Sequence, residues 1–219
     1  MPKFRKVCAL IGLVATISGC KVDSVYEVFV QDLMEISDTG ETLFAPGSLE
    51  IEMASCESNF KDVYEVIEKY YVVTSDPNCI DRNFEEYLQV KIKSPIVNDG
   101  NSLPQNIPTG LAIKFDESAG SLEIFAVLDY VRFNSLEADV KRLDSTVELE
   151  LNSVQIVVNN DLRSSVEITT PSGYLNGKPM VYGEATLDRR ENLTIQFSEI
   201  FPRSLRERGK IKAATLTIN

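Results

Sequence analysis

The side chains that could carry chemistry in this 219-residue chain are carboxylates, hydroxyls and cysteines, because it contains no histidine. That absence removes Ser-His-Asp and Cys-His nucleophile sites, histidine-based zinc sites and the commonest general base near neutral pH. Paired carboxylates remain at Glu85/Glu86, Asp116/Glu117 and Glu148/Glu150. A glycosidase needs two carboxyls facing each other across a cleft, and nothing in these spacings selects such a pair. Glu148 and Glu150 fit the solvent face of an alternating strand. Asn98-Asp99-Gly100-Asn101 reads as a turn before it reads as a cation site, and no Asp-x-Asp-x-Asp-Gly run for calcium occurs. Cys56 and Cys79 alone cannot fill a structural zinc site, which takes four ligands. The expectation is no catalytic residue, no metal ligand and no cofactor.

One short pattern points the other way. Ser58-Asn59-Phe60-Lys61 has the Ser-x-x-Lys spacing that resembles the nucleophile pair of penicillin-recognising enzymes, but the companion Ser-Asp-Asn and Lys-Thr-Gly motifs are missing. The plainer interpretation is a helix N-cap followed by an exposed lysine. Positive charge collects late, at Arg189, Arg190, Arg203, Arg206, Arg208, Lys210 and Lys212. That asymmetry could face an acidic partner, but a solvated surface explains it as well. There is no tryptophan, and Tyr70/Tyr71 and Phe197/Phe201 are expected to pack the core.

The elements that would position these residues are mainly strands. Residues 25–33 read as a strand that could turn into a short helix through Met34 to Ile36, and further strands are expected at 48–54, 86–93, 111–116, 121–131 and 146–158, with four more at 164–170, 179–187, 192–200 and 210–218. Asn176-Gly177 is a tight-turn signal. Apolar residues at 60, 63, 64, 67, 70 and 71 fall on one helical face, predicting a helix over 58–71. Asn134, with Glu137 three residues on, predicts a shorter helix over 134–143. Residues 94–110 hold three prolines and read as a long irregular loop, with a subdomain split near 95–110 as an option. The expected fold is α+β and mostly β. Its sheet or sheets are antiparallel, with one main covering helix (58–71) and a short second one (134–143).

The chain opens with Lys3, Arg5 and Lys6 and no acid, then an apolar run from Val7 to Ile17 broken only by Gly12 and Thr16. A basic start, a short apolar stretch and a small-residue exit are the parts of an export signal, and the run is too short for a spanning helix. It ends Ile17-Ser18-Gly19-Cys20, which resembles the lipobox of bacterial lipoproteins. The resemblance implies lipid on the Cys20 thiol and cleavage between Gly19 and Cys20, leaving 20–219 as one mature domain. Two or more acyl chains anchor stably where one is marginal. The alternative is an ordinary secretory signal with Cys20 incidental. By the same family's sorting rule, Lys21 after the cysteine points to the outer membrane of a Gram-negative cell, the domain facing the periplasm or the surface. The opening of the mature part, through VYEVFVQDL to Ala54-Ser55-Cys56, is similar to small uncharacterised lipoproteins of enterobacteria and their prophages.

An exported domain sits in an oxidising compartment, so a structural disulfide between Cys56 and Cys79 is favoured over two buried thiols or a redox pair. The net charge of -11, with three positive charges in the signal, leaves the mature chain near -14. Such a surface repels nucleic acid and anionic headgroups. These features together predict a lipid-anchored, non-enzymatic envelope protein that binds or modulates another protein. If it is prophage-encoded, interference with a phage receptor is a specific version. The alternatives are a periplasmic carrier of a lipid or other apolar ligand, and a hydrolase without histidine.

Overall fold

A computed structural model describes residues 20–53, 55–82, 85–104, 106–143 and 149–218. Strand β1 (Cys20–Phe29) sets the frame. It buries Val22, Ser24, Tyr26 and Val28 on one face and leaves Asp23, Val25 and Glu27 partly wet on the other. The run then turns directly into helix α1 (Val30–Thr39), which buries Val30, Leu33 and Ile36. Gly40 stops it in the left-handed region at φ 70°, its N–H reaching the Ile36 carbonyl at 2.8 Å. β2 (Leu43–Met53) returns antiparallel to β1.

Helix α2 (Cys56–Tyr70) and the short strands β3 (Val72–Val73) and β4 (Asn78–Arg82) lead into the long β5 (Glu85–Asn98). β5 takes β2 along one edge, from Met53↔Glu86 to Leu43↔Ile96. Its other edge is shared by β4, β3 and, in parallel, the start of β6 (Thr109–Asp116). β6 and β7 (Ser121–Leu128) form a hairpin. Helix α3 (Tyr130–Leu143) follows, then β8 (Leu149–Asn159), which lies parallel to β1 in the middle of the sheet. β9 (Val166–Leu175), β10 (Lys178–Leu187), β11 (Asn192–Phe197), helix α4 (Ile200–Arg208) and β12 (Lys210–Ile218) complete the chain.

The twelve strands form one sheet whose path closes on itself through β9. The N-terminal half of β9 (Val166 to Thr169) pairs with β12, and its C-terminal end (Gly173 to Leu175) pairs with β11. A strand that changes ladders part-way makes a corner. The bend shows at Gly183 of β10, where a Cβ would lie 2.7 Å from both Leu175 Cδ1 and Thr170 Cγ2, side chains five positions apart on β9. Glycine is what lets the hairpin fold that tightly. Helices α1 and α4 pack against strands, α4 touching β7, β8, β11 and β12, while α2 packs on β5 and α3. One apolar cluster runs from Val22 to Leu216 and draws on the sheet and all four helices.

The antiparallel expectation is corrected here. The sheet is mixed, because β1–β8 and β5–β6 are parallel, and four helices accompany it instead of one main and one short cover. Strand patterns fix which face is buried but not the direction of a distant partner. The β5–β6 link is a ten-residue loop without a helix, so nothing local marks it as a crossover. Helix α3 begins at Tyr130, four residues before Asn134, because Asp129 caps it: its Oδ1 accepts the Arg132 N–H at 3.1 Å. Helix α2 is preceded by Ser55 as N-cap, which places Ser58 inside the helix.

Candidate functional site

Many of the residues singled out in the sequence make defined structural contacts. Gly19 lies outside the described residues, as does the stretch before it. Cys20 is the first residue of β1, its backbone in register with Leu149 of β8. Lys21 follows in the same strand. Its ammonium lies 3.1 Å from Glu52 Oε2 and 3.4 Å from Glu85 Oε1, and the hydrogen bond to Glu52 leads in raising its pKa. Glu85 also accepts the Tyr87 hydroxyl at 2.7 Å, and this bond, with Lys21 beside it, holds the carboxyl below its usual range. Next along the outer face, Glu50 takes Arg82 at 2.8 Å and Gln89 at 2.8 Å. Asp23, its cross-strand partner, accepts Asn152 at 2.9 Å. Burial is the main reason that the Asp23 carboxyl titrates above its ordinary value.

Cys56 and Cys79 form a disulfide with Cα atoms 5.8 Å apart, tying the first residue of α2 to β4. Ser58 and Lys61 both sit in the first half of α2. Glu86 accepts the Cys56 N–H at 2.6 Å. Asp116 closes the β6–β7 turn by accepting Ser118 N–H and Oγ–H at 3.0 and 2.6 Å. Glu148 lies outside the described residues. Asp99, from the candidate cation turn, is ion-paired to Lys210, which also stands 4.1 Å from the centre of the Phe125 ring. Arg206 reaches Glu137 at 3.4 Å, and Lys212 pairs with Glu123. Three of the late positive charges, Arg206, Lys210 and Lys212, are thus each paired with a different carboxylate. Phe197 and Phe201 stack with centroids 4.0 Å apart, and Tyr71 is buried with its hydroxyl 3.1 Å from Thr109 Oγ1. Among the described residues, no group of three or more Cys, Asp or Glu is placed to hold a metal ion.

No helix among the described residues is long and apolar enough to cross a membrane.

The feature that stands open is β10. It pairs with β9 along its length and ends the sheet path, so its other edge has no strand beside it among the described residues. Unpaired strand edges are templates for further pairing. Along this one, Met180, Val181 and Tyr182 are exposed, Val181 to 90%, with Tyr174 beside them on β9. An open cleft of about 260 Å³ lies at the corner, lined by Thr170, Pro171, Tyr182, Lys212 and Ala214 among others. The sequence carries the signal for this edge in Met180-Val181-Tyr182. These are three consecutive apolar residues after Pro179, where a half-buried strand would alternate.

The chain thus presents a closed, mixed sheet with four helices and an exposed apolar run along the outer edge of β10. The chain belongs to the family described as a domain of unknown function (DUF7424), whose model matches residues 22–218. No curated protein and no solved structure matches it. The family match begins two residues after Cys20 and ends with β12.

Proposed function

We propose that the protein is a lipid-anchored envelope protein, non-enzymatic, whose domain binds another protein through the free edge of β10. The observation that carries this is the exposed Met180-Val181-Tyr182 run on a ten-residue strand whose outer edge has no strand beside it among the described residues. Backbone groups of such an edge give affinity and its side chains give selectivity when a partner strand adds to it. The anchor rests on the export signal and the Ile17-Ser18-Gly19-Cys20 sequence. Lys21 supports an outer-membrane address only by the sorting rule, since its ion pairs with Glu52 and Glu85 give it a folding role of its own. The carrier alternative has less support, because α1 and α4 pack side chains into the same apolar cluster as the strands.

The test is photo-crosslinking in cells that make the full chain. A photoreactive amino acid replaces Val181 in one strain and Phe115, an exposed residue of β6, in another. Val181 is expected to give a discrete adduct and Phe115 none. No adduct at Val181, or the same adduct at both sites, would remove the edge from the proposal.

A further inference from the structure

The edge carries enough pattern to name its partner. We propose that β10 pairs with β10 of a second copy of this chain, antiparallel and about a two-fold axis at Val181; this rests on the edge-binding function above. Three observations bear on the pairing, and the side-chain row selects that register.

The first is the direction of the backbone groups. The β9–β10 hairpin turns through Asn176 and Gly177 alone, with φ 46° and 77°, and Leu175 faces Lys178 across it. The pair flanking such a two-residue turn exchanges its hydrogen bonds inward, and so does every second pair beyond it. Lys178, Met180 and Glu184 therefore turn their N–H and C=O groups to β9, as Tyr182 does, although Pro171 opposite it has no N–H to give the Tyr182 carbonyl. Pro179, Val181, Gly183 and Ala185 turn theirs to the open edge. A symmetric antiparallel pairing can centre on one of these outward residues, as a hydrogen-bonded pair, or on an inward one such as Met180 or Tyr182 lying between two such pairs, so the side chains must choose among them. Centred on Val181, the two Val181 residues exchange N–H···O=C bonds with each other. Each Gly183 N–H then meets the Pro179 carbonyl of the other copy. Pro179 has no N–H, so each Gly183 carbonyl goes without a backbone donor in this register, and a centre at Pro179 would lose two bonds likewise.

The second is the side-chain row. Lys178, Met180, Tyr182 and Glu184 are all exposed and lie on one face of β10. In the Val181 register this row meets itself reversed. Lys178 of each copy faces Glu184 of the other, and Met180 faces Tyr182. The pairing yields two opposite-charge pairs at its ends and two sulfur–aromatic contacts at its centre. A centre at Gly183 would set Tyr182 against Glu184, and the tight bend there interrupts the ladder.

The third is closure. The pairing uses the same edge on both copies, so it is isologous and leaves no free β10 edge for a third chain. The acidity of the domain as a whole is tolerated because the contact itself is charge-balanced.

The test uses the full chain in its own membranes. Antiparallel hydrogen-bonded residues sit about 5.5 Å apart at Cα, inside the span a disulfide bridges. Val181→Cys is expected to give a covalent dimer under mild oxidation, with most of the chain shifted on a non-reducing gel. Thr186→Cys, exposed on the same strand but away from the axis, is expected to give little. Adding Glu184→Lys to Val181→Cys should cut the dimer at least tenfold, and adding Lys178→Glu as well should restore it. Absence of the Val181→Cys dimer, or a yield indifferent to Glu184→Lys, overturns the self-pairing. A photo-adduct at Val181 containing a different protein, with no cysteine dimer, would overturn self-pairing and leave edge binding standing. Neither adduct nor dimer would remove both.

Discussion

At the residue scale, Asp23 and Asp99 show how burial and pairing pull the same group in opposite directions. Asp99 has Lys210 beside it, and that contact holds its carboxyl below the usual range. It stabilises the fold above the ordinary aspartate pKa, and the contribution is lost as pH falls through the lowered folded value. Asp23 is the reverse case. Burial raises its folded pKa, so the folded state keeps a proton that the unfolded chain has already released. Stability therefore falls as pH climbs from the ordinary aspartate range through the raised value, and the full cost is present at neutral pH. Asp23→Asn keeps an oxygen for the Asn152 amide and removes the buried charge. It is expected to raise the urea midpoint at pH 7, with the gain fading as pH drops towards 3. An equal gain at both pH values would mean that charge is not the cause. This outer-face network was illegible in the sequence, where Asp23, Glu50 and Arg82 are far apart and only the register of β1, β2, β5 and β4 gathers them.

At the element scale, what the sequence shows is local. The Asn176-Gly177 turn, the apolar stripe of α2 and the alternation of β1 and β8 were all readable from spacing. Helix α4 was not. Its nine residues include Pro202 and four arginines or acids on the wet side, and only Phe201, Pro202 and Leu205 are buried, too few to announce a period. The corner in β9–β10 was hidden because it depends on Gly183 meeting Leu175 and Thr170 in space. The disulfide is the element-scale device with the clearest expected effect. It joins α2 to β4 across a sequence separation of 23 residues, and in the chain-entropy model such a loop contributes about 3 kcal/mol. Cys79→Ser is expected to lower unfolding stability by roughly that amount, with little change in the far-ultraviolet circular dichroism of the folded state. A loss below about 0.5 kcal/mol would show that the open chain already holds this loop together.

At the scale of the whole molecule, the proposed lipid on Cys20 and the fold share a residue. Because β1 begins at Cys20, no linker separates the attachment point from the sheet. Cys20→Ser is expected to move the protein from the membrane to the soluble fraction on cell fractionation while the fold persists, since the strand is held by β2 and β8 through its backbone. Retention in the membrane after that substitution would sink the anchor. With the anchor in place, the orientation of the domain is set by the direction of one strand, and the β10 edges of neighbouring copies are presented at a common height.

The parallel pairing of β1 with β8 has a consequence in time. The strand that leaves the ribosome first is flanked on one side by a strand made some 129 residues later, as the Asp23–Asn152 contact measures. Until β8 arrives, one edge of β1 is open and the ring cannot shut. By then β1, β2, β5, β6 and β7 can already pair as an open run. Closure waits for β9, which pairs with both β11 and β12, so the last strand made is the one that completes the ring.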